Sequence, residues 1–312
     1  MHDPQSPVLS SDCFLNMLTS GQLGPTVQSS FVLPQDALST PDIEVQCRTA
    51  PWLLLILDYD GPLVPSAAPP AETRPAPALL VLLAQLAQAP GVEVAVVSGR
   101  SLTELRALLP VPGLVYLGTY GIERRSANGK TQHRIPMGAF TAATAIGRLQ
   151  RDVTNMLTGR PGFFLEDKGY TFALHYRLAR PDEAERAVAK FLAAVQAYQN
   201  QGITLEILHG QKVVEVCPLG VNKGKALQSL LTLRNTAALP VYLGDDATDE
   251  GAFRTVNGRG LTIAVADPPG RTAAQYYLQN PEQVACFLAR VLSLRHNGQD
   301  KISLRQTPAC RW

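Results

Sequence analysis

The stretch Trp52 to Pro65, WLLLILDYDGPLVP, constrains the fold more than any other part of the chain. Its consecutive large apolar residues, Trp52 to Leu57, suit a strand covered on both faces, as in the middle of a parallel sheet. Asp58, Tyr59, Asp60 and Gly61 follow at once. In open α/β sheets the carboxyl ends of strands line the ligand crevice, so a D-x-D-G there sets two acids on alternate positions at the mouth of a site. A phosphoryl group and a divalent cation are natural guests, although a strand followed by an ordinary Asp-Gly turn would leave the same trace.

The 312 residues, 46% hydrophobic and 17% charged, are enough for a full core and for two domains. A net charge of +2 gives no argument for nucleic acid as a partner. Cys13, Cys47, Cys217, Cys286 and Cys310 form no C-x-x-C pair, and their odd count argues against a disulfide framework or zinc site. A reducing cytoplasm suits them. With no apolar run of about 18 residues, and no basic N-terminus leading into an apolar stretch, neither a membrane span nor a signal peptide is expected.

Residues 1–50, rich in Ser, Pro, Gln and Thr, read as a disordered extension. The proline-rich run Pro65 to Pro77 predicts a surface loop near the site, followed by a helix over Ala78 to Gln88 with Leu79, Leu82, Leu83 and Leu86 buried. Val92 to Val97 is a second buried strand. It runs into Ser98-Gly99-Arg100, and Ser101 with Glu104 forms a capping box for the next helix. Ser98 at a strand end beside a helix N-terminus suits an anion, while capping alone would also account for this pattern. Leu114 to Leu117 is a third strand, and Asn128-Gly129 marks a hairpin turn.

From about His133 to Val213 the pattern changes to α-β-β-α-β-β. Gly138 to Leu157 predicts an amphipathic helix with Phe140, Ala143, Ile146, Leu149, Val153 and Met156 on one face. This order predicts a small antiparallel sheet backed by two helices, inserted as its own unit. The parallel pattern then resumes, with Lys223 at a helix start and a strand Pro240 to Leu243 ending in Gly244-Asp245-Asp246-Ala247-Thr248-Asp249-Glu250. If the strands are parallel, Asp58 with Asp60, Ser98, Lys223, and Asp245 with Asp246 and Asp249 share one location. Such crowded carboxylates cannot all be ionised unless a cation neutralises them. Oxygen-only ligands beside a phosphate point to Mg²⁺. A solvated loop with Thr248 capping the next helix would explain Thr248 but neither Asp245 nor Asp246.

From Trp52 to about Leu294 the chain resembles the haloacid dehalogenase superfamily, whose four motifs match DYDG, the Ser of SGR, the Lys of NKG and GDDATDE in order. More narrowly it is similar to the trehalose-6-phosphate phosphatase family, on DYDGPLVP, VVSGR, GTYGIERR with NGKT, EDKGYTFALHYR, HGQKVVEVCPLGVNKGKAL and YLGDDATDEGAF. The resemblance implies an α/β fold, a Rossmann-like parallel-sheet core over 51–132 and 214–296, and an inserted α+β cap of the C2 type over 133–213; residues 297–312, outside it, read as a polar tail. It further implies Mg²⁺-dependent hydrolysis of trehalose 6-phosphate through an aspartyl-phosphate, with functional coupling to a trehalose-6-phosphate synthase. Asp58 would be the nucleophile and Asp60 the general acid and base. Ser98, Gly99 and Lys223 would bind the phosphoryl group. Asp58, Asp60 through its carbonyl, Asp245, Asp246 and Asp249 would hold or support Mg²⁺. Arg100, Glu123, Glu166, Lys168, Lys212 and Glu215 would contact the sugar, with His175 packing at the cap surface.

Three positions depart from the family pattern: Pro62 stands at a usual Thr, Tyr120 at a usual His, and Gly251 at a usual acid. Pro62 is expected to push Gly61 toward an extended conformation. Two other readings stay open: a phosphatase for a related sugar phosphate, such as a glucosyl- or mannosyl-glycerate ester, and a catalytically silent sugar-phosphate-binding subunit of a synthase complex.

Overall fold

The computed structural model describes residues 33–66, 74–136, 138–210, 212–233, 238–267 and 269–296. The expected disordered segment up to residue 32, the stretch 67–73 of the proline-rich loop and the polar tail from 297 lie outside the described residues.

The apolar run of the opening motif forms β2 (Trp52–Asp58). Leu53, Leu55 and Leu57 enter one core cluster and Leu54 and Ile56 the other, the two-sided burial that a central parallel strand requires. Among the described residues, nine strands make one sheet in the order β1 (Gln35–Asp36), β13 (Tyr276–Leu278), β12 (Leu261–Val265), β11 (Ala238–Gly244), β2, β3 (Val92–Val97), β4 (Val115–Gly118), β5 (Glu123–Arg125) and β6 (Thr131–His133). Pairing is parallel from β1 to β4, and β5 and β6 add an antiparallel hairpin at the edge.

Helices cover both faces. α1 (Pro41–Thr49), α2 (Pro77–Gln88), α3 (Leu102–Leu108) and α8 (Pro281–His296) pack on the Leu55 side, and α6 (Lys223–Thr232) and α7 (Glu250–Val256) on the Ile56 side. The predicted capping box at Ser101 and Glu104 is formed. Gly224 and Gly251 lie where α6 and α7 cross, and a Cβ on Gly224 would press on the Gly251 carbonyl.

A separate antiparallel sheet has the order β7 (Phe164–Asp167), β8 (Phe172–His175), β10 (Val213–Pro218) and β9 (Leu205–Gly210). α4 (Ala139–Leu157) and α5 (Pro181–Gln199) cover one of its faces through Ile146, Leu149, Phe172, Phe191 and Val214. The other face is turned to the core domain. β10 runs to Pro218, past the expected boundary at 213, because its pairing with β9 continues to Leu205. Phe140 is 68% exposed rather than buried. Ala142 and Ala145 take the inward positions instead, their small side chains letting α4 pack near the sheet.

The disordered reading of residues 33–50 is corrected. β1 pairs with β13, and α1 buries Ile43 and Cys47, one helical turn apart. Arg295 of α8 donates to the carbonyls of Cys47, Ala50, Pro51 and Gly91, tying the end of α1 to the entry of β2. Burial pushes the Cys47 thiol up to about 12, with Arg295 opposing. Two buried positions carry no visible amphipathic repeat in so polar a context, and the helix is stabilised by docking rather than by propensity. Replacing fully buried Ile43 by Ala (I43A) should therefore cost about 2–4 kcal/mol, and Val45→Ala, exposed on the same helix, less than about 0.5 kcal/mol, in urea unfolding. Equal small effects would mean that α1 is not part of the folded core.

Candidate active site

The acids converge because of register. Leu57 lies opposite Leu243 between β2 and β11, and Asp58 opposite Val97 between β2 and β3. Asp58, Ser98 and the Gly244-Asp245 pair therefore leave the sheet at one level. Gly61 turns the chain at φ 91°, where its N–H donates to Val64 O at 2.8 Å, so the extended conformation expected before Pro62 is not adopted. A Cβ at Gly61 would overlap the Asp245 carboxylate, so glycine is needed both for the turn and for that close approach.

Lys223, at the start of α6 and 4% exposed, donates to Asp58 Oδ2 at 2.6 Å and Asp249 Oδ1 at 2.8 Å. The other Asp58 oxygen accepts the Tyr59 N–H at 2.7 Å. Asp249 also accepts the Tyr242 hydroxyl and the N–H groups of Asp245 and Asp246. Asp245 is bonded to Ser66 Oγ at 2.7 Å. Oxygens of Asp58, Asp245 and Asp249 all lie within 4.8 Å of one another. One ammonium among three carboxylates, Asp58 and Asp249 buried and Asp245 half-buried, leaves the set short of positive charge. Burial pushes the Asp58 carboxyl well up, Asp249 and Asp245 add to this, and Lys223 opposes it. Burial, with Asp249 and Asp246, raises Asp245 to about 7. Lys223 itself is held charged: burial disfavours the ammonium, but Asp249 and Asp58 outweigh it. An oxygen-only donor set lacking positive charge fits a hard divalent cation.

Asp60 stands apart from this cluster. Both its oxygens accept the fork of Arg100, at 2.8 and 2.7 Å, and the guanidinium lies 5.0 Å from the centre of the Tyr59 ring. Asp246 caps the turn before α7, accepting from Thr248 N–H and Oγ1, while Asp249 reciprocates. The cap of this turn is thus Asp246, and the alternative of a solvated loop capped by Thr248 is not what forms. Ser98 Oγ accepts the Arg100 N–H at 3.1 Å, which leaves its hydroxyl proton for a ligand oxygen.

The inner face of the antiparallel sheet closes the cleft. Glu166, Ala173, Glu215 and Leu208 are in register across it, and the small Ala173 lets charged chains meet above it. Glu215, 4% exposed, accepts from Lys168 Nζ at 3.1 Å, from Thr171 Oγ1, and from the core residue Tyr120 through its hydroxyl at 2.7 Å. Glu166 pairs with His175 Nε2 at 2.8 Å and with Lys168 at 3.5 Å. Burial would raise the Glu166 carboxyl, but His175 and Lys168 outweigh it and hold it at about 2.

Asp58, Asp60, Ser98, Gly99, Arg100, Glu166, Lys168, Glu215, Lys223, Asp245 and Asp246 line one cleft of about 170 Å³. Asp249 lies directly behind it through Lys223. Glu123 is not in the lining: it accepts the Leu102 N–H and the Thr119 hydroxyl and ties β5 to α3. Lys212 is exposed at the tip of the β9–β10 turn and is also outside it. Sequence reasoning missed Ser66, Thr171 and the role of His175, which lines the cleft rather than packing at the cap surface. Its place opposite Phe164 and Val213, on the face shared by Glu166 and Glu215, follows from the two-residue strand repeat.

A strand-end aspartate cluster on a parallel α/β core, roofed by an antiparallel cap, defines the haloacid dehalogenase class of phosphate chemistry. The family description trehalose-phosphatase matches residues 56–282. The chain belongs to that family. It is 33% identical over 266 residues to a trehalose-phosphate phosphatase of Mycobacterium ulcerans, covering 82% of this chain and 65% of that protein's length. It is 30% identical over 273 residues to trehalose-phosphate phosphatase B of Arabidopsis thaliana, covering 82% and 70%. In fold it is similar to the C-terminal domain of C. albicans trehalose-6-phosphate phosphatase, with TM-score 0.73 and 23% identity over 85% of this chain and 99% of that one.

The Glu166 pairing sets a pH dependence. Its folded carboxyl, at about 2, lies below the ordinary 4.5, so its contribution is complete above about pH 5 and fades as pH falls toward 2. Wild type should exceed Glu166→Gln in unfolding free energy at pH 7 by at most about 3 kcal/mol, with the gap narrowing below about pH 4.5. A gap unchanged from pH 7 to pH 3 would contradict the pairing.

Proposed function

We propose that the chain hydrolyses trehalose 6-phosphate to trehalose and phosphate in two displacements at phosphorus. The carrying observation is Asp58, held at the strand end by Lys223 and the Tyr59 N–H, with Asp60 two residues on at the edge of the same cleft. An Asp58 oxygen attacks phosphorus and the bond from phosphorus to the sugar oxygen breaks, the leaving oxygen taking a proton from Asp60. Water then attacks the aspartyl-phosphate, Asp60 recovers a proton from it, and phosphate leaves with Asp58 restored. Ser98 donates to a phosphoryl oxygen, and Lys223 offsets charge on Asp58 and on the transferring group. Mg²⁺, held by Asp58 and Asp245 with Asp249 behind them, would supply positive charge to the phosphoryl oxygens and to Asp58.

Arg100 acts through Asp60, fixing its carboxylate by two parallel bonds. Glu166, Lys168, His175 and Glu215 offer acceptors and donors to sugar hydroxyls on the cap side. The cleft, about 170 Å³ as closed here, is below the roughly 300 Å³ of ordinary small-molecule sites. A phosphorylated disaccharide therefore requires the cap to lift, and closure afterwards excludes bulk water. Coupling to a synthase that makes the phosphorylated disaccharide belongs to the same reading.

Purified protein given a panel of sugar phosphates should release phosphate from trehalose 6-phosphate, and chelation of Mg²⁺ should abolish this. Asp58→Asn should fall to background while still binding substrate, and Asp60→Asn should lose roughly 10²–10⁴-fold in kcat. Strong release from another ester with none from trehalose 6-phosphate would overturn the substrate; unchanged turnover in Asp58→Asn would overturn the nucleophile.

A further inference from the structure

A second cavity, of about 420 Å³, shares Tyr120 with the catalytic cleft. Its lining includes Arg124 on β5, His133 and Arg134 at the end of β6, and Lys225 in the first turn of α6, and among the described residues it holds no aspartate or glutamate. Three cations that line the catalytic cleft have acids: Arg100 has Asp60, Lys168 has Glu215, and Lys223 has Asp58 and Asp249. Here, among the described residues, Arg124, Arg134 and Lys225 have neutral partners only. Arg124 donates to Gly121 O at 2.9 Å, Arg134 to Ser229 Oγ at 2.8 Å, and Lys225 to Gln228 Oε1 at 3.2 Å. Glu206, which is bonded to Gly220 N–H and the Asn222 amide, is not in the lining.

Arg124 is half-buried, and burial together with the neighbouring Arg134 pushes its guanidinium down to about 10. An uncompensated guanidinium beside a second one is stabilised by an added anion. Two guanidinium forks and an ammonium match the charge and the several acceptor oxygens of a phosphate dianion better than a single carboxylate. The volume also admits more than the phosphate itself.

The position of the cavity gives this a consequence. Both chain crossings between core and cap line it: Arg134, Ile135 and Pro136 on the way out, Gly220 and Val221 on the return. Tyr120 belongs to both linings and holds the cap's Glu215 through its hydroxyl. Tyr120 and its neighbour Thr119 both take left-handed backbone, φ 53° and 46°, a strained pair for residues other than glycine. Tyr120 N–H donates to Ser98 O at 2.9 Å, fixing that backbone against the phosphate-binding loop.

We infer that the Arg124–Arg134–Lys225 cavity is a second, non-catalytic site for a phosphate dianion, free or as a sugar monoester, which bridges the core to the outgoing crossing and restrains cap opening. Phosphate released by turnover would then inhibit in two ways, one overcome by substrate at the cleft and one not.

Equilibrium dialysis of the full chain with Mg²⁺ and radiolabelled inorganic phosphate tests this, with ionic strength held constant by potassium chloride. Wild type should show a binding component that Arg124→Gln/Arg134→Gln weakens by roughly tenfold or more, and that Asp58→Asn leaves in place. If the double variant does not fold, Lys225→Glu, an exposed position, should weaken the same component. Competition by glucose 6-phosphate at that component would assign the monoester as well as the free ion. In turnover, the part of phosphate inhibition that lowers kcat should vanish in the double variant while the part that raises KM stays. Identical phosphate binding in wild type and variants, or a component displaced equally by chloride, would overturn the site. The binding readout does not depend on which ester is hydrolysed, so its failure is separable from failure of the substrate assignment.

Discussion

A single buried ammonium organises the catalytic half of the structure. Lys223 is placed at the first position of α6 by the Asn222 cap and is pulled into the core between Asp58 and Asp249. Removing one partner from such a group costs about 3–5 kcal/mol, because the remaining charge is stranded in low dielectric. The ammonium therefore fixes the position of the β2 end against the β11 end. It also leaves the neighbouring carboxylates with too little positive charge, which is the condition that fits the cluster to a divalent cation.

The cap repeats this logic with the same signs. Lys168 is buried between Glu166 and Glu215, its charge favoured by those carboxylates against the cost of burial. The two acids sit on either side of Ala173, where no bulk intrudes. The Tyr120 hydroxyl then joins the cap's Glu215 to the core. Closure of the cap thus combines this polar contact in the middle of the cleft with the packing of Tyr170 and Leu208 against the Tyr120 cluster. A ligand that competes for Glu215 would loosen that contact, which couples occupancy to cap position.

The central strand, both acidic strand ends, the capping box and the alternation of two sheet types were legible because each leaves a dense local signal. Six apolar residues ending in acids fix Asp58 and Asp60, and the same sequence grammar fixes Asp245. Residues 33–50 were not legible: two inward positions, Ile43 and Cys47, depend on α8 and on the carbonyl-binding Arg295 far away in the chain. Division of labour among the acids was also hidden. That Asp249 holds Lys223 while Asp246 caps a turn is decided by a few ångströms of register, not by residue type. The cationic cavity was invisible for the same reason, since Arg124, Arg134 and Lys225 come from three elements that only the fold brings together.

The proposed hydrolysis turns on transfer of the phosphoryl group to Asp58. Asp60→Asn protein mixed with trehalose 6-phosphate and Mg²⁺, quenched in acid within one turnover and analysed by peptide mass spectrometry, tests it directly. A phosphoryl group on the peptide holding Asp58, absent from the Asp58→Asn chain, is the predicted result. Steady phosphate release by wild type with no phosphorylated Asp58 in any quenched sample would contradict it.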